Sequence, residues 1–202
     1  MRVAVYGGSF NPPHVGHAMV VAWLLWTGRV DAVWIVPVYH HAFEGLHDKR
    51  LAPFSDRVAW CRALAAHLVA PDDPRLLVLD VERELPVPSF TIDTLRHLAA
   101  LHPQAQLVPV VGADVVPQLP RWRSWPELQA RFPPLVVGRT GHPLPAGGVI
   151  FPDVSSSEIR RRLQDGLPVD HLVPRQVLAL LAQGDPVAWW GPLAPVRAPG
   201  AG

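Results

Sequence analysis

Lysine is nearly missing from this chain: Lys49 is the only one among 202 residues, and arginine carries almost all the positive charge. Acidic residues balance it to a net charge of +1, so no strong field steers the protein to nucleic acid or to a membrane surface. Cysteine is almost absent too. With Cys61 alone, no disulfide can form within the chain, which suits a reducing cytoplasm. Cys61 falls in a helical pattern and is expected as a small core residue, not a nucleophile. No apolar stretch is long enough to cross a bilayer. The first residues already read as a strand, leaving no room for a signal peptide, so a cytoplasmic location is expected. There is no internal repeat.

What is present fits a globular protein: 49% of residues are hydrophobic and 17% charged, and the length suits one domain. Residues 1–184 are expected to form it, with helices over 156–184 closing it. Residues 185–202 are rich in Pro, Gly and Ala and read as a loose tail, with Trp189 and Trp190 pinning part of it to the surface. Short, wholly apolar runs alternate with helical patterns. Strands are expected at Val3–Val5, Ala32–Val36, Leu76–Val81, Leu107–Val111, Leu135–Val137 and Val149–Phe151. Helices are expected over Ala18–Trp26, Pro53–Val69, Ser89–Leu101, Ser156–Gln164 and Pro174–Ala182. That alternation predicts an α/β fold: a Rossmann-like, doubly wound parallel sheet with right-handed crossovers, flanking helices and a small C-terminal helical segment. Ligands of such sheets sit beyond the carboxyl ends of the strands. The loops after the first, fourth and sixth strands should therefore meet.

The first of those loops carries the strongest signal. Tyr6 to His17 reads Tyr-Gly-Gly-Ser-Phe-Asn-Pro-Pro-His-Val-Gly-His, between a buried strand and a helix. Gly7 and Gly8 should let the backbone turn sharply and approach a ligand. Pro12 and Pro13 should end the strand and preset the first helical dihedral. The free N–H groups of the helix start then face the loop, a ready phosphate site. His14 and His17, three residues apart, face the same way and can donate to a transferring group. Neither the Gly-x-Gly-x-x-Gly fingerprint nor a P-loop lysine is present.

The second signal lies about 140 residues on, at Ser155-Ser156-Ser157-Glu158-Ile159-Arg160. Three serines open a helix, Ser155 or Ser156 pairs with Glu158 as a cap, and Arg160 reaches back one turn. Hydroxyls, free N–H groups and a guanidinium make a second anion site, suited to the β- and γ-phosphates of a nucleoside triphosphate. Arg161 and Arg162 read as a solvated face.

Taken together, the two segments resemble the paired signatures of the nucleotidyltransferase superfamily, whose hallmarks are His-x-Gly-His and Ser-Ser-Thr/Ser-x-Ile/Val-Arg. Within it the chain resembles the bacterial nicotinate-nucleotide adenylyltransferases. Pro88-Ser89-Phe90-Thr91-Ile92-Asp93-Thr94-Leu95 is similar to that branch's Ser-Tyr-Thr-x-x-Thr-Leu, with Phe90 in place of tyrosine. Gly112-Ala113-Asp114 followed by Trp122 is similar to its Gly-Ala-Asp…Trp segment, and 163–180 resembles its C-terminal helix pair.

This resemblance implies transfer of AMP from ATP to nicotinate mononucleotide, giving nicotinate adenine dinucleotide and pyrophosphate in NAD biosynthesis. It implies His14, His17 and Arg160 as catalytic residues. Gly7, Gly8, Ser9, Phe10, Gly112, Asp114, Ser155, Ser156 and Ser157 would contact ATP, with Asp114 on the ribose. Thr91 and Trp122 would meet the pyridine ring, Trp122 by stacking. A magnesium ion is implied, bound mainly through the ATP phosphates. The branch usually carries Pro-Pro-His-Lys after its second strand; here Tyr39-His40-His41-Ala42-Phe43-Glu44 stands instead, with Lys49 as the substitute lysine on the substrate side. A zinc site in the loop holding His40, His41 and His47 matches no common ligand spacing. Nicotinamide mononucleotide or another phosphorylated acceptor, a cytidylyltransferase, and a non-catalytic nucleotide sensor on the same fold are the alternatives. A homo-oligomer is compatible with the sequence.

Overall fold

The computed structural model describes residues 1–40, 50–143 and 148–191. Lys49, His41 and His47 lie outside the described residues, as does the tail beyond Gly191. The strands are β1 (Arg2–Gly8), β2 (Ala32–Pro37), β3 (Leu76–Val78), β4 (Gln106–Gly112), β5 (Leu135–Arg139) and β6 (Ile150–Phe151). They form one parallel sheet in the order β3-β2-β1-β4-β5-β6. The strand order reverses between β1 and β4, and in open α/β sheets that reversal opens the ligand crevice.

Seven α-helices stand among the described residues: α1 (Val15–Trp26), α2 (Phe54–Leu68), α3 (Thr91–Leu101), α4 (Trp125–Arg131), α5 (Ser156–Gln164), α6 (Arg175–Leu181) and α7 (Pro186–Trp190). Alternate side chains of each strand serve opposite faces. Val33 and Ile35 join a core with α1, α2, α5 and α6, whereas Ala32, Trp34 and Val36 join a second core with α3 and α4. Both faces of the sheet are therefore buried, which is why the strands read as continuous apolar runs. Cys61 is a buried member of the first core, and burial pushes its thiol pKa far up.

Several boundaries differ from expectation, each for a physical reason. The third strand ends at Val78, where its pairing with β2 stops, and Val81–Glu84 is a 3-10 turn. Its Glu82 is buried and accepts from the Tyr39 N–H and the Thr94 hydroxyl. Helix α1 begins at Val15, capped by His14, so Pro12 and Pro13 lie before the helix and do not occupy its first turn. Gly7 and Gly8 remain in β1; the sharp turn falls at Phe10, held at φ +45°. That is left-handed backbone, strained for a side chain with a Cβ. The Phe10 ring folds back over Gly8, where a Cβ would come within 3.2 Å of it. The stretch expected as a loose tail begins with α7, and Trp190 is buried in the first core. Trp189 stands edge-on to Trp60 at 5.0 Å between centroids, so the two tryptophans draw the chain inward despite the surrounding Pro and Gly.

Candidate active site

The loop after β1 and the start of α5 close on one another. Arg160 Nη1 donates to the carbonyl of Asn11 at 2.8 Å, and the Ser156 hydroxyl donates to the carbonyl of Pro12 at 2.8 Å. Between them lies a cleft lined by Ser9, Phe10, Asn11, His14, His17, Arg139, Ser155, Ser156, Ser157 and Arg160. Ser155 is the N-cap of α5; its hydroxyl accepts from the Glu158 N–H at 3.2 Å. Glu158 turns away to pair with Arg161, which is exposed as expected, and with Arg162, which is half-buried.

The two histidines are built into the first turn of α1. The His14 backbone N–H donates to Nδ1 of His17 at 3.1 Å. Nδ1 of His17 is thus an acceptor, and in the neutral ring the proton sits on Nε2 as the remaining donor. The rings stack with centroids 3.7 Å apart. Gly16 makes this packing feasible, since a Cβ there would lie 3.1 Å from Nδ1 and Cε1 of His14. Desolvation, reinforced by Arg139, lowers the His14 pKa to about 4. Desolvation, then His14 and Arg139, holds His17 well below its ordinary value. Both are neutral donors at pH 7. Nδ1 of His14 is buried with no hydrogen-bond partner among the described residues.

The cationic side of the cleft is equally specific. Arg160 touches only neutral oxygens, those of Asn11 and Ser157, and no carboxylate among the described residues pairs with it. Partial burial lowers its pKa. A guanidinium kept half-desolvated without a counter-charge is complementary to an anion. Arg139, which ends β5, pairs with Asp114 at 3.1 Å and Asp153 at 3.3 Å. A Cβ at Gly112 would meet the Asp114 carboxylate, which would have to turn aside. Arg139 and Asn11 line the cleft although the motifs assign them nothing. A lone arginine at a strand end carries no local signal, and Asn11 reads as ordinary turn chemistry.

The chain from residue 5 to 162 matches the family model described as cytidylyltransferase-like. A protein of Anaeromyxobacter sp. (strain K) named "Probable nicotinate-nucleotide adenylyltransferase" is 43% identical over 180 residues, spanning 88% of this chain and 91% of that one. The chain belongs to the nicotinate-nucleotide adenylyltransferase family. A second member bearing the same name, from Thermus thermophilus, is 35% identical over 88% of this chain and 94% of its own. The fold matches that of a Plasmodium falciparum nicotinic acid mononucleotide adenylyltransferase complexed with NaAD, with a TM-score of 0.75 at 18% identity. That match covers 90% of this chain and 95% of the other.

Against the family's pattern, the structure gathers His14, His17, Arg160, Ser9, Phe10 and Ser155 to Ser157 around one cleft. Gly7, Gly8, Gly112 and Asp114 do not line it, though Asp114 adjoins through Arg139. Thr91 and Trp122 lie apart from this cleft. Thr91 opens α3, while Trp122 is half-buried against the second core, as is Trp125, so burial does not distinguish the two tryptophans. Phe90, in the place of the family's tyrosine, lies under the Arg123 guanidinium at 4.8 Å.

Proposed function

We propose that this protein transfers AMP from ATP to nicotinate mononucleotide, releasing pyrophosphate and forming nicotinate adenine dinucleotide. The observation that carries the reading is the closure of the His14–His17 turn onto Arg160 around one cleft lined by donors. The relatives bearing the nicotinate-nucleotide adenylyltransferase name support the choice of acceptor.

In this reading the 5′-phosphate oxygen of the mononucleotide attacks the α-phosphorus of ATP, and the bond to the β-phosphate oxygen breaks. The attacking oxygen is already anionic, so no general base is needed, and catalysis is positioning plus charge stabilisation. The His17 Nε2–H and the His14 ring hold the α-phosphate as negative charge grows. The backbone from Gly8 to Phe10 seats it. Ser156, Ser157 and Arg160 receive the departing pyrophosphate, with Arg139 beside them. Asp114 takes the ribose, Thr91 and Trp122 the pyridine ring, and Lys49 the acceptor side. No cluster of His, Cys, Asp or Glu fit to hold a metal occurs among the described residues. The cleft's lining carries no carboxylate, so a magnesium ion, as the family resemblance implies, would be held chiefly by the ATP phosphates and water, with these side chains around it. No helix among the described residues is long and apolar enough to cross a membrane, and the single buried cysteine suits work in the cytoplasm.

The test is pyrophosphate release from ATP with nicotinate or nicotinamide mononucleotide as acceptor. Turnover should be faster with nicotinate mononucleotide. ATP binding without turnover of either acceptor would replace the enzyme with a nucleotide sensor.

A further inference from the structure

Asn11 is completely buried in the loop that carries the histidines, and every polar atom of its side-chain amide is committed. Oδ1 accepts from the Ala52 N–H at 3.0 Å and from the Trp190 indole N–H at 2.9 Å; Nδ2 donates to the Arg50 carbonyl at 2.9 Å. Its backbone carbonyl is the acceptor for Arg160. One residue thus joins the phosphate loop, the chain just before α2, the C-terminal helix α7 and the arginine of the second motif. The Trp190 contact spans 179 positions of sequence.

Trp190 has two features that a purely space-filling residue would not combine. Its ring belongs to the apolar core beside Trp60 and Trp189, and its one polar atom is aimed at the Asn11 amide of the loop. Helix α7 is tied from the other side as well: Gln164, one turn beyond Arg160 on α5, donates through Nε2 to the Gly191 carbonyl at 2.7 Å. Asn11 on the loop and Gln164 on α5 therefore grip consecutive residues of the same C-terminal segment.

We propose that Trp190 is a positioning residue for the ATP site. Its indole N–H fixes Asn11, and the Asn11 carbonyl sets where the Arg160 guanidinium meets the triphosphate. This rests on the reading of the cleft as an ATP site. Loss of the N–H leaves Asn11 Oδ1 with the Ala52 donor alone. The loop carbonyl is then held less firmly, by the Ala52 and Arg50 contacts, and Arg160 loses part of its aim while remaining chemically intact. The pyridine side of the reaction, on α3 and after β4, is not touched.

Trp190→Phe keeps an aromatic ring and deletes the donor. Trp189→Phe trims the same cluster without touching Asn11 and serves as the packing control. In the full chain, calorimetry should show ATP binding weakened about three- to ten-fold by Trp190→Phe, the range of one lost hydrogen bond. Nicotinate mononucleotide affinity should stay within about twofold, and Trp189→Phe should leave ATP affinity within the same margin. Where turnover is followed, KM for ATP should rise while KM for the mononucleotide holds. Unchanged ATP affinity in a folded Trp190→Phe variant overturns the proposal, as does equal weakening by Trp189→Phe or of both substrates. If Trp190→Phe does not fold, Gln164→Ala carries the test, with the same selective loss expected and unchanged ATP affinity overturning it. If the parent chain binds no ATP, the proposal and the function reading fall together. If it binds ATP without turnover, only the function reading falls, since the affinity comparison stands by itself.

Discussion

The imidazoles of His14 and His17 stack 3.7 Å apart, while the backbone N–H of the first holds Nδ1 of the second. The stack rests on Gly16 and the strained turn at Phe10, so the loop fixes both rings before any ligand arrives. Preorganised donors of this kind stabilise charge as it develops. His17→Ala should therefore lower kcat by about 10²- to 10³-fold, the loss typical for a donor aimed at a growing oxyanion. Circular dichroism should show the fold unchanged. A folded variant with near-normal kcat would remove His17 from the chemistry.

Burial of the same pair gives stability a pH dependence. His14 titrates at about 4 in the folded chain, chiefly through desolvation, against 6.5 when exposed. Between those values the unfolded chain binds more protons than the folded one. Stability is therefore full above pH 6.5 and declines as the pH falls toward 4. A displacement of this size corresponds to about 3 kcal/mol at the acid end of the window. Thermal melts should show Tm dropping from about pH 7 to about pH 4.5, with a shallower drop in His14→Gln. Parallel Tm–pH curves for the two proteins would contradict it.

The local signals of the sequence carry over into the structure, and the distant ones have no signature to read. The β1–loop–α1 junction and the Ser155 cap are written in consecutive residues, because turn chemistry and capping act over three or four positions. The cap appears where the motif puts it, and so does the junction, although its turn falls at Phe10 and its prolines stay outside the helix. The Asn11–Trp190 bond has no such trace, since nothing in Pro-Gly-Ala-rich surroundings marks a tryptophan as reaching the first loop. Arg139 is likewise silent, because its value lies in which carboxylates and which cleft it meets. The third strand reads too long in the sequence because an apolar run does not announce where its partner strand stops. The expectation that Gly7 and Gly8 make the turn fails for a similar reason: the ring of Phe10 needs the space over Gly8, and the backbone turns at Phe10 itself.

Trp122 tests whether the pyridine ring binds where the family pattern puts it. It stands outside the cleft of His14, His17 and Arg160, half-buried with Phe90 and Trp125. Stacking of a base on an aromatic side chain is worth about 1–3 kcal/mol. Trp122→Ala should raise KM for nicotinate mononucleotide by about 5- to 150-fold and leave KM for ATP nearly unchanged. An equal rise for both substrates would mark Trp122 as core packing, and no rise would move the ring site elsewhere.

Arg57 offers the sharpest prediction about the fold. It is 1% exposed, yet it lies on the face of α2 that a hydrophobic pattern would assign to core. Its Nε donates to the Ala52 carbonyl at 2.9 Å, and Nη1 donates to those of Val38 at 2.7 Å and Ser9 at 3.1 Å. One guanidinium thus fastens the loop after β1, the end of β2 and the entry to α2. Methionine would fill much of the volume but leave those carbonyls without this donor. Each buried polar group so stranded costs about 1–3 kcal/mol, so Arg57→Met should lower the unfolding free energy by at least about 3 kcal/mol. Arg57→Lys should recover only part of that, because an ammonium cannot reproduce the planar fork. Urea denaturation of the three proteins measures the differences, and a methionine variant within about 1 kcal/mol of the parent would mean that the loops hold without the guanidinium.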